Sequence, residues 1–212
     1  MPWDSLRSTY DLVAAKYESR FADELQDKPR DRELLEWFAR SVGDPIAEIG
    51  CGPGHIGAFV RHLDRLDHRV VGVDLSPAMA GLAMRRLDAA AVADMRSLPF
   101  AADTVGGLLA FYSLIHLRRA ELEPVLRGFS RVLRPGGHVL FSAHEGQHEL
   151  ERGEFLGEQA PVVATLFALD ELVDASRRAG LDVLVAERRN PYASEGQTAR
   201  LYVEAKKPAA VS

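Results

Sequence analysis

Short apolar runs separated by stretches of helical periodicity dominate this chain. The runs at residues 46–49, 69–76 and 105–112 are short and apolar enough for buried parallel strands, and apolar positions recur at helical spacing between them. Two further runs, at residues 181–187 and 199–205, are joined by a polar connection. This alternation predicts an α/β protein whose parallel sheet ends in a hairpin.

Three alternating glycines follow the first apolar run. Gly50, Gly52 and Gly54 separate this strand from a helix whose apolar face begins at Ile56. Glycine permits positive φ and the close approach of a ligand, and the next helix directs its N–H groups into the turn. The arrangement predicts a site for a nucleotide-like ligand, with a purely structural turn as the alternative.

The spacing of these glycines distinguishes between two kinds of nucleotide site. In the dinucleotide pattern G-x-G-x-x-G, His55 stands where the third glycine belongs. Glu48 lies two residues before the first glycine, and a carboxylate facing the loop would repel a pyrophosphate and suit a cationic ligand. An NAD(P)-dependent oxidoreductase stays an alternative, because it would share the strand, the turn and an acid after the second strand.

Acidic residues stand at the ends of the next two strands. Asp74 closes the second run about twenty residues after the glycines, where a ribose-binding carboxylate is expected. Asp94 closes a weaker strand that begins at Ala89. Ser76 and Pro77 then have the chemistry of an N-cap and a first helical residue. Acids at successive strand ends favour a ligand site over a chance glycine turn.

These residues together resemble the class I S-adenosylmethionine-dependent methyltransferases of the small-molecule, ubiquinone-biosynthesis type. Glu48, Gly50, Gly52 and Gly54 match the family's E/D-x-G-x-G-x-G motif, and residues 98–100 match its L-P-F. The resemblance implies a Rossmann-like, seven-stranded mixed sheet in the order 3-2-1-4-5-7-6, with strand 7 antiparallel and helices on both faces. It also implies S-adenosyl-L-methionine as cofactor, S-adenosyl-L-homocysteine as product, and no metal.

The same resemblance assigns a set of residues to the cofactor, with Asp74 on the ribose and Asp94 on the adenine. The assigned residues are Tyr10, Tyr17, Glu48, Gly50, Gly52, Gly54, Asp74, Leu75, Asp94, Met95 and Ala110.

Two helices, predicted at residues 8–25 and 31–42, precede the first strand. The first contains Y-D-x-x-A-x-x-Y at residues 10–17, which in the family forms part of a lid over the cofactor. Tyr10 and Tyr17 are then expected to contact the methionine end. The alternative is that both rings only pack on an amphipathic surface.

Histidines mark the expected acceptor side of the site. His116 follows the fourth strand and is a candidate general base, the alternative being a histidine that fixes the loop by hydrogen bonds. His144 and His148 form H-E-x-x-H, a zinc motif that requires a continuous helix, but here it follows a strand and contains Gly146. Because the carboxyl end of a strand in such a sheet opens on the ligand crevice, we expect one of these histidines to touch the acceptor, with His144 as the second catalytic candidate. Residues 149–166 show no period and predict an insertion over the site.

Length and composition set the remaining expectations. The 212 residues are 47% hydrophobic, which predicts one domain, divided into a lid (1–42), a core (43–207) that contains the insertion, and a tail (208–212). The formal charge of −5 argues against a nucleic-acid partner. No apolar run approaches the roughly 20 residues of a membrane span. The N-terminus lacks a signal pattern and the lone Cys51 forms no internal disulfide, so we expect a cytoplasmic protein.

The predicted function is methyl transfer to an O, N or C nucleophile of a small-molecule acceptor. This reaction needs mainly the alignment of the two reactants, with a base where the nucleophile must lose a proton. Residues 110–113 lack the N-P-P-Y tetrad of amino-directed nucleic-acid methyltransferases. The expected assembly is a monomer or homodimer, and a non-catalytic regulatory protein that binds S-adenosylmethionine is the second alternative.

Overall fold

A computed structural model describes residues 3–63 and 66–209 of the chain. The strands are β1 (Ile46–Ile49), β2 (Val70–Asp74), β3 (Ala89–Val92), β4 (Val105–Ala110), β5 (Leu133–His144), β6 (Glu149–Arg152), β7 (Val162–Thr165), β8 (Asp182–Arg189) and β9 (Arg200–Lys206). Seven of them form one sheet in the order β3-β2-β1-β4-β5-β9-β8. Strand β9 is antiparallel to β5 and to β8, whereas the pairs from β3 to β5 are parallel. Counted along the chain within this sheet, the order is 3-2-1-4-5-7-6, which confirms the predicted topology.

Helices cover both faces of the sheet. They are α1 (Trp3–Phe21), α2 (Pro29–Ser41), α3 (His55–Arg61), α4 (Pro77–Ala83), α5 (Leu122–Val132) and α6 (Leu169–Arg178), with short 3-10 turns at Glu24–Asp27, Leu114–His116 and Arg119–Glu121. Leu108 and Leu109 are neighbours in β4 and are both fully buried, yet they belong to different apolar clusters. Successive side chains of a strand point to opposite faces, so a central strand covered on both sides needs an uninterrupted apolar run.

Helix α1 begins earlier than the sequence predicts. Ser8 has the chemistry of an N-cap, but its hydroxyl donates to the carbonyl oxygen of Asp4 at 2.8 Å, as serine does inside a helix. The helix ends at Phe21, and the remaining predicted turn is the separate 3-10 helix before Pro29. Pro29 occupies the first turn of α2, where its missing N–H costs little.

The insertion at residues 149–166 contains regular structure that its sequence does not reveal. Strands β6 and β7 pair as an antiparallel hairpin separate from the main sheet. Each strand is only four residues long, and β6 is mostly exposed, so neither shows a buried face in its sequence. We call this element, residues 149–165, the insertion hairpin.

The remaining expectations concern the chain ends and membranes. Residues 208 and 209 have no regular structure, and the rest of the predicted tail, residues 210–212, lies outside the described residues. Within residues 3–63 and 66–209, no helix combines the length and the apolar character needed to cross a bilayer. The division into lid, core, insertion and tail stays a prediction.

Candidate functional site

A cavity lies at the carboxyl ends of β1, β2 and β4, beneath helix α1. We call it the turn cavity, because the glycine turn after β1 forms part of its wall. The predicted cofactor residues that line it are Tyr10, Tyr17, Gly50, Gly52, Asp74, Leu75, Asp94 and Met95. Residues far apart in sequence therefore meet at one edge of the sheet, as parallel-strand topology requires.

The three glycines of the turn have different surroundings. All three adopt left-handed φ angles, of 67° at Gly50, 51° at Gly52 and 79° at Gly54. A Cβ on Gly52 would meet only the Tyr17 ring, at 3.8 Å, so its backbone faces open space in the cavity. Gly54 instead packs against Ala83 of α4, where a Cβ would lie 3.1 Å from the backbone, and it does not line the cavity.

Asp74 is held in place by the turn that it borders. Its Oδ2 accepts a hydrogen bond from the Gly52 N–H at 2.8 Å, and its Oδ1 accepts one from the Ser76 N–H at 2.8 Å. Burial raises the pKa of this carboxyl to about 6, although both hydrogen bonds favour the charged form. A carboxylate fixed in this way has lone pairs left for two ligand hydroxyls.

Glu48 does not take the position expected of it. Only 3% of the residue is exposed, and its Oε2 accepts a hydrogen bond from the Gly57 N–H of α3 at 3.1 Å. Gly57 makes the room, because a Cβ there would lie 2.4 Å from that oxygen. Burial, together with the charge of Asp74, raises the pKa of Glu48 to about 8, so the carboxyl is mostly protonated at neutral pH. It lies outside the lining of the turn cavity, and so does the fully buried Ala110.

Asp94 lines the cavity but already has a strong partner. Both of its carboxylate oxygens accept from the Arg96 side chain, with the shortest contact at 2.5 Å. Its Oδ1 also accepts from the Arg96 backbone N–H. The adenine contact assigned to Asp94 stays a prediction.

Helix α1 is attached to α4 by a residue that the sequence analysis did not single out. Asp11 Oδ1 accepts from the Ser76 hydroxyl at 2.5 Å and from the Ala78 N–H at 3.1 Å. Ser76 is the N-cap of α4 and its N–H also binds Asp74, so the lid helix and the proposed ribose acid share one partner. The sequence did contain an indication of a role for this residue, because Asp11 is the acid of the Y-D-x-x-A-x-x-Y motif.

We expect Asp11→Ala to loosen helix α1 and weaken binding of S-adenosylhomocysteine by roughly 5–10-fold, the effect of one or two lost hydrogen bonds. Calorimetry gives the affinity, and hydrogen exchange of the α1 amides shows whether the helix opens more often. Asp4→Ala is the control, because Asp4 is an exposed acid on the same helix. An Asp11→Ala variant with unchanged affinity and exchange would contradict the role of this contact.

A second cavity, of about 620 Å³, adjoins the turn cavity. Such a volume is within the range of small-molecule sites. Tyr10, Tyr17, Tyr112 and His116 line both cavities. The insertion hairpin, the end of β5 and the connection between β8 and β9 complete the walls, so we call it the hairpin cavity. Parts of α1, the strand ends, the insertion hairpin and the connection between β8 and β9 therefore meet around one cavity.

His116 has both ring nitrogens engaged. Its Nδ1 lies 2.9 Å from the carbonyl oxygen of Val163, which can only accept, so Nδ1 carries the hydrogen. Its Nε2 therefore holds the lone pair and accepts from the Tyr10 hydroxyl at 2.7 Å. Burial lowers the pKa of His116 and favours the neutral ring. A neutral imidazole with its basic nitrogen beside both cavities suits a general base.

The two histidines of the H-E-x-x-H stretch are in different surroundings. His144 ends β5, lines the hairpin cavity and stacks on Tyr112 with 5.1 Å between ring centroids. Burial, aided by the positive charges of Arg200 and Lys28, holds the pKa of His144 at about 4. His148 is exposed and lines neither cavity.

The stretch itself is a strand end followed by a turn, so it lacks the helix on which a zinc site of this spacing depends. Glu145 pairs with Arg188 at 2.8 Å. Across residues 3–63 and 66–209, no three histidine, cysteine or acidic side chains are grouped so that they could hold a metal ion.

The chain is similar to known methyltransferases. A family model described as a methyltransferase domain matches residues 46–137. The chain is 30% identical over 161 residues to the biotin biosynthesis bifunctional protein BioHC of Saccharophagus degradans, an alignment that covers 69% of this chain and 28% of that protein. It is 29% identical over 140 residues to the malonyl-[acyl-carrier protein] O-methyltransferase of Yersinia pestis, covering 65% of this chain and 49% of that protein.

A solved structure is similar over nearly the whole chain. It is the 1,6-didemethyltoxoflavin-N1-methyltransferase of Burkholderia thailandensis with bound S-adenosylhomocysteine, with a TM-score of 0.72 and 22% identity, covering 97% of this chain and 88% of that one. The sheet order defines a Rossmann-like protein, and the turn cavity lies at the strand ends where sheets of this kind bind ligands. Residues 46–137 match a methyltransferase domain, and the chain is similar to methyltransferases, one of them solved with bound S-adenosylhomocysteine. The chain spans about a quarter to a half of the length of the two curated relatives described above.

Proposed function

We propose that the protein transfers a methyl group from S-adenosylmethionine to an O, N or C nucleophile of a small molecule. The observation that carries the proposal is that two cavities meet at Tyr10 and His116. The relatives include an O-methyltransferase and an N1-methyltransferase by name, so the proposal covers more than one acceptor atom.

The residues of the turn cavity fit the cofactor. Asp74 offers a fixed carboxylate to the ribose hydroxyls, and the open backbone at Gly52 allows close approach. Tyr10 and Tyr17, 6.0 Å apart between ring centroids, cover the end of the cavity that faces the acceptor side. When bound, S-adenosylmethionine supplies a methyl group already activated on a sulfonium. The protein therefore has to align an acceptor and accept a proton.

The contact between Tyr10 and His116 provides a path for that proton. An acceptor hydroxyl or amine in the hairpin cavity gives its proton to the Tyr10 oxygen, while the Tyr10 proton passes to Nε2 of His116. The imidazole becomes an imidazolium, so the positive charge that the cofactor loses is conserved on the histidine. Val163 fixes the ring through Nδ1, which couples the insertion hairpin to the base.

Titration calorimetry with S-adenosylhomocysteine, S-adenosylmethionine and NAD tests the cofactor. We expect both adenosyl sulfur compounds to bind with one-to-one stoichiometry and NAD not to bind. Turnover of labelled S-adenosylmethionine against a metabolite extract would then identify the methylated product by mass. Binding of NAD alone would favour the oxidoreductase, and cofactor binding without any labelled product would favour the regulatory protein. A cytoplasmic location, a monomer or homodimer and the lack of a nucleic-acid partner stay predictions.

A further inference from the structure

The hairpin cavity is richer in positive charge than the chain as a whole. Four charged residues line it, and three of these, Lys28, Arg152 and Arg200, are cations, with Glu24 as the acid. The whole chain has a formal charge of −5, so the charge of the cavity lining is opposite in sign to that of the chain. The rest of the wall is largely apolar and includes Ile115, Leu150, Phe155, Val162, Ala164 and Leu166.

Arg200 has hydrogen-bonding capacity that the described residues do not use. It is 5% exposed, and its Nη1 donates to Thr198 and Gly196. Among residues 3–63 and 66–209 its buried Nε has no hydrogen-bond acceptor, although Glu195 Oε1 lies 3.4 Å away as an ion-pair partner. A buried guanidinium normally satisfies its donors, so the unmet Nε–H leaves Arg200 with one donor for a further acceptor such as an anionic ligand.

Lys28, Arg189 and Arg200 share three acids, Glu24, Asp31 and Glu195, so the excess of positive charge in the cavity wall comes from Arg152. Glu195 is the carboxylate nearest Arg200, and it also faces Arg189 at 2.7 Å and Lys28 at 3.8 Å. Lys28 has a second partner in Glu24, at 2.6 Å. Positive potential from Arg200 and Lys28 extends to His144, where it contributes to the lowered pKa.

Arg152 adds a cation that forms no ion pair with any other described residue. It lies at the end of β6, is exposed and lines the hairpin cavity. An arginine presents a planar fork that matches a carboxylate, so its place in the wall gives the cavity a second anion-binding group.

We infer that the acceptor is an apolar molecule that carries a carboxylate, with Arg200 and Arg152 binding the carboxylate and the insertion hairpin packing on the apolar body. This inference rests on the proposed function, because it takes the hairpin cavity to be the acceptor site. It narrows the substrate class from any small nucleophile to an amphipathic organic acid.

The experiment compares 2-naphthoate with 2-naphthamide, which share an apolar body and differ in charge. Calorimetry on protein saturated with S-adenosylhomocysteine should show at least about tenfold tighter binding of the naphthoate, a difference typical of a charge-assisted pair. Arg200→Gln should abolish this preference and Arg152→Gln should reduce it. Arg127→Gln should retain it, because Arg127 is exposed on α5 and pairs with Glu123 outside the cavity.

Equal affinity for the two compounds, binding of neither, or a preference that survives both cavity substitutions would overturn the inference. If Arg200→Gln fails to bind S-adenosylhomocysteine, the exposed Arg152→Gln decides the outcome. The cofactor measurement separates the two proposals. Protein that does not bind S-adenosylhomocysteine overturns the proposed function, whereas protein that binds it and does not prefer the carboxylate overturns only this inference.

Discussion

Replacing His116 with alanine is expected to lower kcat for methyl transfer by about 10²–10⁴ while the affinity for S-adenosylhomocysteine changes little. The reason is geometric, because Nε2 of His116 is the acceptor for the Tyr10 hydroxyl and Val163 holds the opposite nitrogen. Removal of the ring leaves the proton path without its final acceptor. Steady-state kinetics give kcat and KM, and calorimetry gives the cofactor affinity separately.

Two further variants show whether the effect belongs to the base. Tyr10→Phe keeps the ring and removes the hydroxyl, so it should also lower kcat. His148→Ala is the matched control, since His148 is exposed and lines neither cavity. An equal loss of cofactor affinity in His116→Ala would make His116 a structural part of the wall. Full activity in that variant would mean that alignment alone accounts for the rate.

The pH dependence of the reaction gives an independent readout. Protonation of Nε2 removes the lone pair, so the rate should fall as the pH falls through the pKa of His116. Burial lowers that pKa from its ordinary value of 6.5, and the acid limb of the kcat/KM profile should therefore lie below pH 6.5. The His116→Ala variant should lack this limb, and an unchanged limb would assign it to another group.

The order of the main sheet was predictable through the family resemblance that the glycine turn and the strand-end acids carry, whereas the apolar runs by themselves predicted only buried parallel strands. β4 is buried at every position, which its sequence shows directly, and the glycine turn fixed the start of the site. The topology then placed Tyr10, His116 and His144 around one crevice. The hydrogen bond between Tyr10 and His116 was not predictable, since it joins residues 106 positions apart through their exact side-chain directions.

Glu48 shows why the direction of a side chain was harder to predict than the strand to which the residue belongs. All four residues of β1 are buried, so no alternation of polar and apolar positions indicates which face the carboxyl occupies. The deciding feature is Gly57, nine residues later, whose missing side chain leaves room beneath α3. Asp11 and Arg200 likewise act through contacts that only the folded chain brings together.

Asp74→Ala should weaken binding of S-adenosylhomocysteine by about 1–3 kcal/mol, roughly 5–150-fold, the usual cost of leaving buried polar partners unmet. The carboxylate is both the proposed ribose acceptor and the acceptor for the N–H groups of Gly52 and Ser76. Asp182→Ala, at an exposed position that begins β8, is the control and should bind normally. Because the charged form binds hydroxyls better, wild-type affinity should fall as the pH drops through about 6, the pKa of Asp74.

A 2′-deoxy analogue of S-adenosylhomocysteine separates the ribose contact from the support that Asp74 gives to the turn. In the wild type the missing hydroxyl should reduce affinity. In Asp74→Ala it should cost little more, because the two changes remove the same interaction and are therefore not additive. If the deoxy analogue lost as much affinity in the variant as in the wild type, the hydroxyl would bind elsewhere. Asp74 would then act only through the N–H groups of Gly52 and Ser76, as a support for the glycine turn.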